Sequence, residues 1–145
     1  MRYWLLLIFF LSPWVSASAE LYVVASPKSP IMEINKEQLS ALYLGRNRVV
    51  GNTYINQVLD RSGTVRQRFF LQVTNMQESQ INAYWAKLKF SGRLRAPESV
   101  VSEQELIAKL EENPFSIGYT DQVPSDALKV LLVLYDCSNA HFATG

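Results

Sequence analysis

The chain has 145 residues, 48% of them hydrophobic, which is the length and apolar content of one domain with a substantial core. Its 14 Lys+Arg and 13 Asp+Glu nearly cancel, so the overall charge gives no reason to expect nucleic acid or an anionic membrane surface as partner. One cysteine, Cys137, excludes an internal disulfide, and with a single histidine there is no zinc-type ligand set, so neither metal nor cofactor is expected.

The chain opens with Met1-Arg2, a continuous apolar run from Trp4 to Leu11, Pro13, and the small residues Ala17-Ser18-Ala19. This is the three-part pattern of a secretory signal peptide. The run is shorter than the roughly 20 residues needed to span a bilayer. No cysteine lies near the cleavage point, so a lipid anchor is not indicated. We therefore expect a leader over residues 1–19, export to the periplasm, a folded domain over 20–135, and a flexible C-terminal tail over 136–145.

Leu21 to Ala25 is short and rich in apolar residues and reads as a buried strand; Ser26-Pro27-Lys28-Ser29-Pro30 is the loop that ends it. Asn35, with Gln38 three residues on, is a capping-box start for a helix whose apolar face is Leu39, Leu42 and Tyr43, with Gly45 as its stop. Arg46, Arg48, Gly51 and Asn52 form a polar loop, and Tyr54 to Leu59 is expected as the next strand. After Thr64, the four-residue spacing of Val65, Phe69 and Val73 predicts a helix to about Val73. Asn75 and Glu78 are expected to start another, with Ile81, Tyr84, Trp85 and Leu88 facing the core as far as Phe90. A loop with Gly92, Arg93 and Arg95 follows. Ser102 and Glu105 then cap a helix through Leu106, Ile107 and Leu110, ended by Asn113-Pro114. Ser116 to Thr120 and Leu128 to Leu134 are the last two strands.

Strands separated by helices predict an α/β fold, a mostly parallel sheet with helices on both faces. In such sheets ligands bind at the C-terminal ends of strands. The Ser26–Ser29 loop and the turn at Arg61–Thr64 are both expected there, converging on one ligand.

That turn is the most informative stretch. Val58-Leu59-Asp60 runs into Arg61-Ser62-Gly63-Thr64 and then into a helix. Such a turn aims backbone N–H groups and hydroxyls at one point, the geometry of an anion site at a helix N-terminus. Arg61, Arg66 and Arg68 crowd the positive end of the helix dipole, a conflict that a bound anion relieves. The competing reading is an N-cap made by Ser62 or Thr64. Catalysis is not supported: the one nucleophile worth considering, Ser62, has only His141 in the tail as base, Glu111-Glu112 reads as a solvated helix end, and no phosphate-loop lysine or dinucleotide fingerprint occurs. The chain reads as a binding protein, not an enzyme.

Taken together, Asn35-Lys36-Glu37-Gln38-Leu39 through Leu44-Gly45, Asp60 through Phe70, Tyr84-Trp85, and Asn113-Pro114-Phe115-Ser116-Ile117-Gly118-Tyr119 resemble, in order and spacing, the phosphate-binding subunit of ABC transporters. In that family the second piece looks like Arg-x-x-Ser-Gly-Thr-x-x-x-Phe and the last like x-x-Gly-Ala-Ile-Gly-Tyr. The resemblance runs from about Val23 to about Val133. It implies a type 2 periplasmic binding protein-like fold and, as ligand, inorganic phosphate or a similar oxyanion. By the resemblance, Arg61, Ser62, Gly63 and Thr64 hold that ligand. Here Arg61 adjoins Ser62, without the residues that separate them in the family. Family members have two lobes, and this chain has the length of one. The resemblance thus implies either a solute-binding component of a phosphate ABC transporter or, alternatively, a non-transport accessory or sensory module that docks on a membrane transporter or sensor complex.

Overall fold

The structure, a computed structural model, describes residues 20–92 and 94–136. The expected leader over 1–19, Arg93, Cys137, His141 and the rest of the tail lie outside the described residues. Eleven elements follow in order: β1 (Glu20–Ala25), α1 (Lys36–Tyr43), β2 (Val49–Val50), β3 (Thr53–Tyr54), β4 (Gln57–Asp60), α2 (Thr64–Thr74), α3 (Glu78–Ser91), β5 (Glu98–Ser99), α4 (Glu103–Glu112), β6 (Ser116–Thr120) and β7 (Lys129–Tyr135).

The capping signals act where the spacing places them. Asn35 and Gln38 close a reciprocal box on α1, with Gln38 N to Asn35 Oδ1 at 2.8 Å and Asn35 N to Gln38 Oε1 at 3.1 Å. Ser102 Oγ accepts from Glu105 N at 3.1 Å at the start of α4. Two expectations are corrected. Asn75 does not start a helix; it ends α2 in the left-handed conformation (φ 57°), which asparagine tolerates better than most residues, and Gln77 opens α3. The stretch expected as one strand from Tyr54 is divided. Gly51, at φ 61°, turns Val49–Val50 back onto Thr53–Tyr54 as a hairpin, and β4 begins only at Gln57.

The main sheet has the order β5-β4-β6-β1-β7. β4 pairs in parallel with β5 and with β6, while β1 pairs antiparallel with β6 on one side and β7 on the other. Four strands therefore point one way and β1 alone runs against them, so the sheet is mostly parallel in direction. Alternate residues feed two cores. Leu21, Val23, Val58, Ile117 and Tyr119 join Leu39, Leu42, Phe69, Phe70 and Ile81 of α1, α2 and α3 on one face. Val24 and Leu59 join Leu106 and Leu110 of α4 on the other. Helices thus cover both faces, as the alternation of elements predicts. Among the described residues no helix is long and apolar enough to cross a membrane.

The reversed β1 has a functional consequence. Tyr22 lies opposite Thr120 and Val24 opposite Gly118, so the C-terminal end of β1 sits beside the start of β6. The Ser26–Ser29 loop is therefore at the opposite end of the sheet from the turn after β4, where Lys129 Nζ holds the carbonyls of Ser29 and Ile31. The expected convergence of the two loops on one ligand does not occur. The reason is that a continuous apolar strand reads as buried on both faces but carries no mark of its direction.

Candidate functional site

β4 delivers Asp60 to the end of the sheet, 6% exposed, beneath the turn. Its carboxylate accepts from Arg61 N at 2.8 Å, from the Tyr119 hydroxyl, and from Arg66 Nε at 2.9 Å. Arg66 reaches back from the first turn of α2 and also donates to Glu78 Oε1 at 3.1 Å and Asn82 Oδ1 at 3.2 Å, with its guanidinium 5.1 Å from the Phe70 ring centre. Burial works against the Arg66 charge, but the bonds to Asp60 and Glu78 outweigh it and its pKa is raised. Tyr119 is pushed well above the usual tyrosine range, chiefly by burial and then by the Asp60 charge. Tyr43, whose hydroxyl donates to Leu59 O at 2.7 Å, is raised for the same two reasons.

Arg61 turns the other way. Its Nη1 meets Glu103 Oε2 at 2.8 Å, and Glu103 Oε1 accepts from Thr120 Oγ1 at 2.7 Å. Two of the three arginines at the turn are thus already matched by carboxylates from α4, β4 and α3. The remaining one, Arg68, leaves Nη2 buried without a partner among the described residues.

The turn itself is open. Ser62, Gly63 and Thr64 are all exposed. Gly63 is the residue before α2 and has φ 71° and ψ −150°, a region reserved for glycine. Neither Ser62 nor Thr64 caps the helix: no side chain bonds the first amides of α2, and its first turn has no acid. The N-cap reading is therefore not what the structure adopts. The positive end of α2 meets solvent with its donors uncapped, flanked by two hydroxyls. Of the four expected site residues, the structure brings Ser62, Gly63 and Thr64 to this opening and directs the Arg61 side chain away to Glu103.

An aromatic block fixes the helix in place. Phe69 stacks on Tyr119 with ring centres 3.7 Å apart and planes within 3°, and Tyr43 and Phe70 meet them edge-on. Sequence reasoning noted Tyr119 only as the end of a family-like piece and missed Glu103 and Thr120 as parts of this end of the molecule. Their one signal was position, at the C-terminal end of a strand and the start of a helix. Among the described residues no group of three or more His, Cys, Asp or Glu could hold a metal ion.

Comparison with solved structures places this geometry in context. One neighbour is an ABC-type phosphate transport receptor from Vibrio cholerae, with TM-score 0.57 and 16% identity, covering 78% of this chain and 46% of the receptor. The chain is similar in fold to phosphate-transport receptors. A putative phosphate ABC transporter substrate-binding protein with bound phosphate, from Clostridium perfringens, gives TM-score 0.56 and 13% identity over 78% of this chain and 45% of that one. PstS from Borrelia burgdorferi gives TM-score 0.52 and 22% identity over 71% of this chain and 41% of its own. The chain thus spans less than half the length of each. No family model and no curated protein matches the sequence. The α/β fold of these neighbours, which the resemblance implied, is the fold observed.

Proposed function

We propose that the chain is a periplasmic oxyanion-binding protein, with phosphate the leading ligand, and that it serves as the solute-binding component of a phosphate ABC transporter. The observation that carries this reading is the uncapped N-terminus of α2 at the exposed Ser62-Gly63-Thr64 turn. It offers backbone amides, two hydroxyls and the positive end of an 11-residue helix to an anion, on a fold shared with phosphate receptors. Arg61 would join the anion by exchanging Glu103 for it. No covalent chemistry is assigned to the site.

One observation favours the alternative of an accessory or sensory module: the chain spans under half the length of each of these neighbours, and among the described residues the turn is exposed rather than covered. Calorimetric titration of the purified protein with phosphate separates the two. Binding at micromolar strength, with a rise in melting temperature, supports the first. No heat and no thermal shift at millimolar phosphate supports the second, because a ligand in large excess over its dissociation constant must stabilise the state it binds.

A further inference from the structure

At the other end of β4 lies a cleft of about 470 Å³, lined by Arg46, Arg48, Tyr54, Asn56, Leu94 and Arg95 among others, with no acidic residue in its wall. Asn56 directly precedes β4 and the Ser-Gly-Thr turn follows it, so the cleft and the turn stand at opposite ends of one strand. The three arginines come from two separate loops. Arg48 ties those loops together: Nη1 donates to the carbonyls of Ile55 and Asn56, both at 3.4 Å, and Nη2 to Arg95 O at 3.3 Å. The guanidinium groups of Arg46 and Arg95, by contrast, make no hydrogen bond or ion pair with the described residues; only their main chains are engaged, Arg46 N donating to Ala41 O and Arg95 O accepting from Arg48.

That contrasts with the turn after β4, where Arg61 and Arg66 each hold a carboxylate. Three arginines lining one cleft with no acid in its wall leave an excess of positive charge there, which an anion entering the cleft offsets. Arginine donors in a fork match phosphate oxygens in pairs. Beside them, Tyr54 (60% exposed) and Leu94 (38% exposed) give apolar cover for something larger than a bare ion.

We infer that this cleft is a second anion site, taking a phosphate group carried on an organic body, with Arg46 and Arg95 on the phosphate and Tyr54 and Leu94 against the body. The site goes beyond the reading of the turn and does not depend on it. The phosphate can come from a soluble monoester or from a lipid headgroup, and the test distinguishes them. The full chain is titrated with phenyl phosphate while backbone amide resonances are followed, and is separately sedimented with phosphatidylglycerol and with phosphatidylcholine vesicles. A soluble source shifts the Asn47 and Asn56 amides at submillimolar phenyl phosphate without vesicle binding. A lipid source co-sediments the protein with phosphatidylglycerol and not with phosphatidylcholine. In either case the double variant Arg46→Ala, Arg95→Ala binds at least tenfold more weakly with an unchanged melting temperature, and Lys87→Ala, an exposed lysine outside both sites, binds as the parent does. The inference is overturned if neither probe engages the cleft at millimolar concentration, or if the double variant binds like the parent. Loss of phosphate binding at the turn alone leaves these outcomes unaffected, so the two assignments fail separately.

Discussion

Ser62 and Thr64 are exposed and cap nothing, so replacing either with alanine should change the stability of the free protein by less than about 0.5 kcal/mol. If they donate to phosphate, each loss should weaken binding by roughly 1.5–3 kcal/mol, tenfold or more in the dissociation constant. Gly63→Val should cost the fold about 1–3 kcal/mol as well, because φ 71° with ψ −150° is open to glycine almost alone. Calorimetry and urea denaturation on the same variants read both quantities; affinity that survives both alanine changes removes the turn as the site. Arg61→Ala strands Glu103, so a loss of about 1 kcal/mol in the free protein is expected from the ion pair, which is with Glu103 rather than with Asp60. The buried tyrosines set a pH limit. Tyr119 and Tyr43 keep their protons in the folded state well above pH 10, whereas in the unfolded chain they lose them near pH 10. The folded state then binds more protons, so stability is intact below pH 10 and falls above it, by about 1.4 kcal/mol per pH unit for each tyrosine. Denaturation series at pH 8 to 11 should show this slope, and Tyr119→Phe should reduce it by about half; an unaltered slope would mean that Tyr119 is not the group responsible.

The elements show how little room separates helix from sheet. Gly118, in the centre of β6, lies under α4: a β-carbon there would sit 2.6 Å from Leu106 Cδ1 and 3.5 Å from Leu59 Cβ. Leu106 is itself fully buried, so it has to repack rather than swing aside. Gly118→Ala should therefore destabilise the protein by about 1–3 kcal/mol. Combined with Leu106→Ala the cost should be clearly less than additive, which a double-mutant cycle measures; strict additivity would show that the two do not meet. The same β6 strand supplies Tyr119, so the close approach of α4 and the position of the Asp60 network depend on one strand. On the opposite face, Phe69 against Tyr119 anchors α2 and with it the turn. The turn is exposed, but the helix behind it is fixed in the core, which keeps its amides preorganised.

At the scale of the molecule, whole-chain charge is a poor guide to partners. Fourteen basic and 13 acidic residues nearly cancel, yet the structure gathers Arg46, Arg48 and Arg95 in one cleft and pairs Arg61 and Arg66 with acids at the other end. Compartment belongs to this scale too. If the expected leader is cleaved after Ala19, intact-mass measurement on exported protein should give Glu20 as the first residue; Met1 retained in the inner-membrane fraction would instead make the segment an uncleaved anchor.

The sequence by itself determined most of the helical extents, the capping box at Asn35, the N-cap at Ser102, the buried faces of Leu39, Leu42, Tyr43, Phe69, Ile81 and Trp85, and the place of Ser62-Gly63-Thr64 as the turn into α2. Each of these depends on residues within a few positions of one another, where spacing and cap chemistry act directly. Only the tertiary structure decided that β1 runs against its neighbours, that Arg66 rather than Arg61 neutralises Asp60, and that Arg46 and Arg95 share a cleft. Those outcomes join residues far apart in the chain. Strand direction is chosen by which neighbours complete the sheet, and a charge takes whichever partner the packed helices bring within reach, so no local pattern records either.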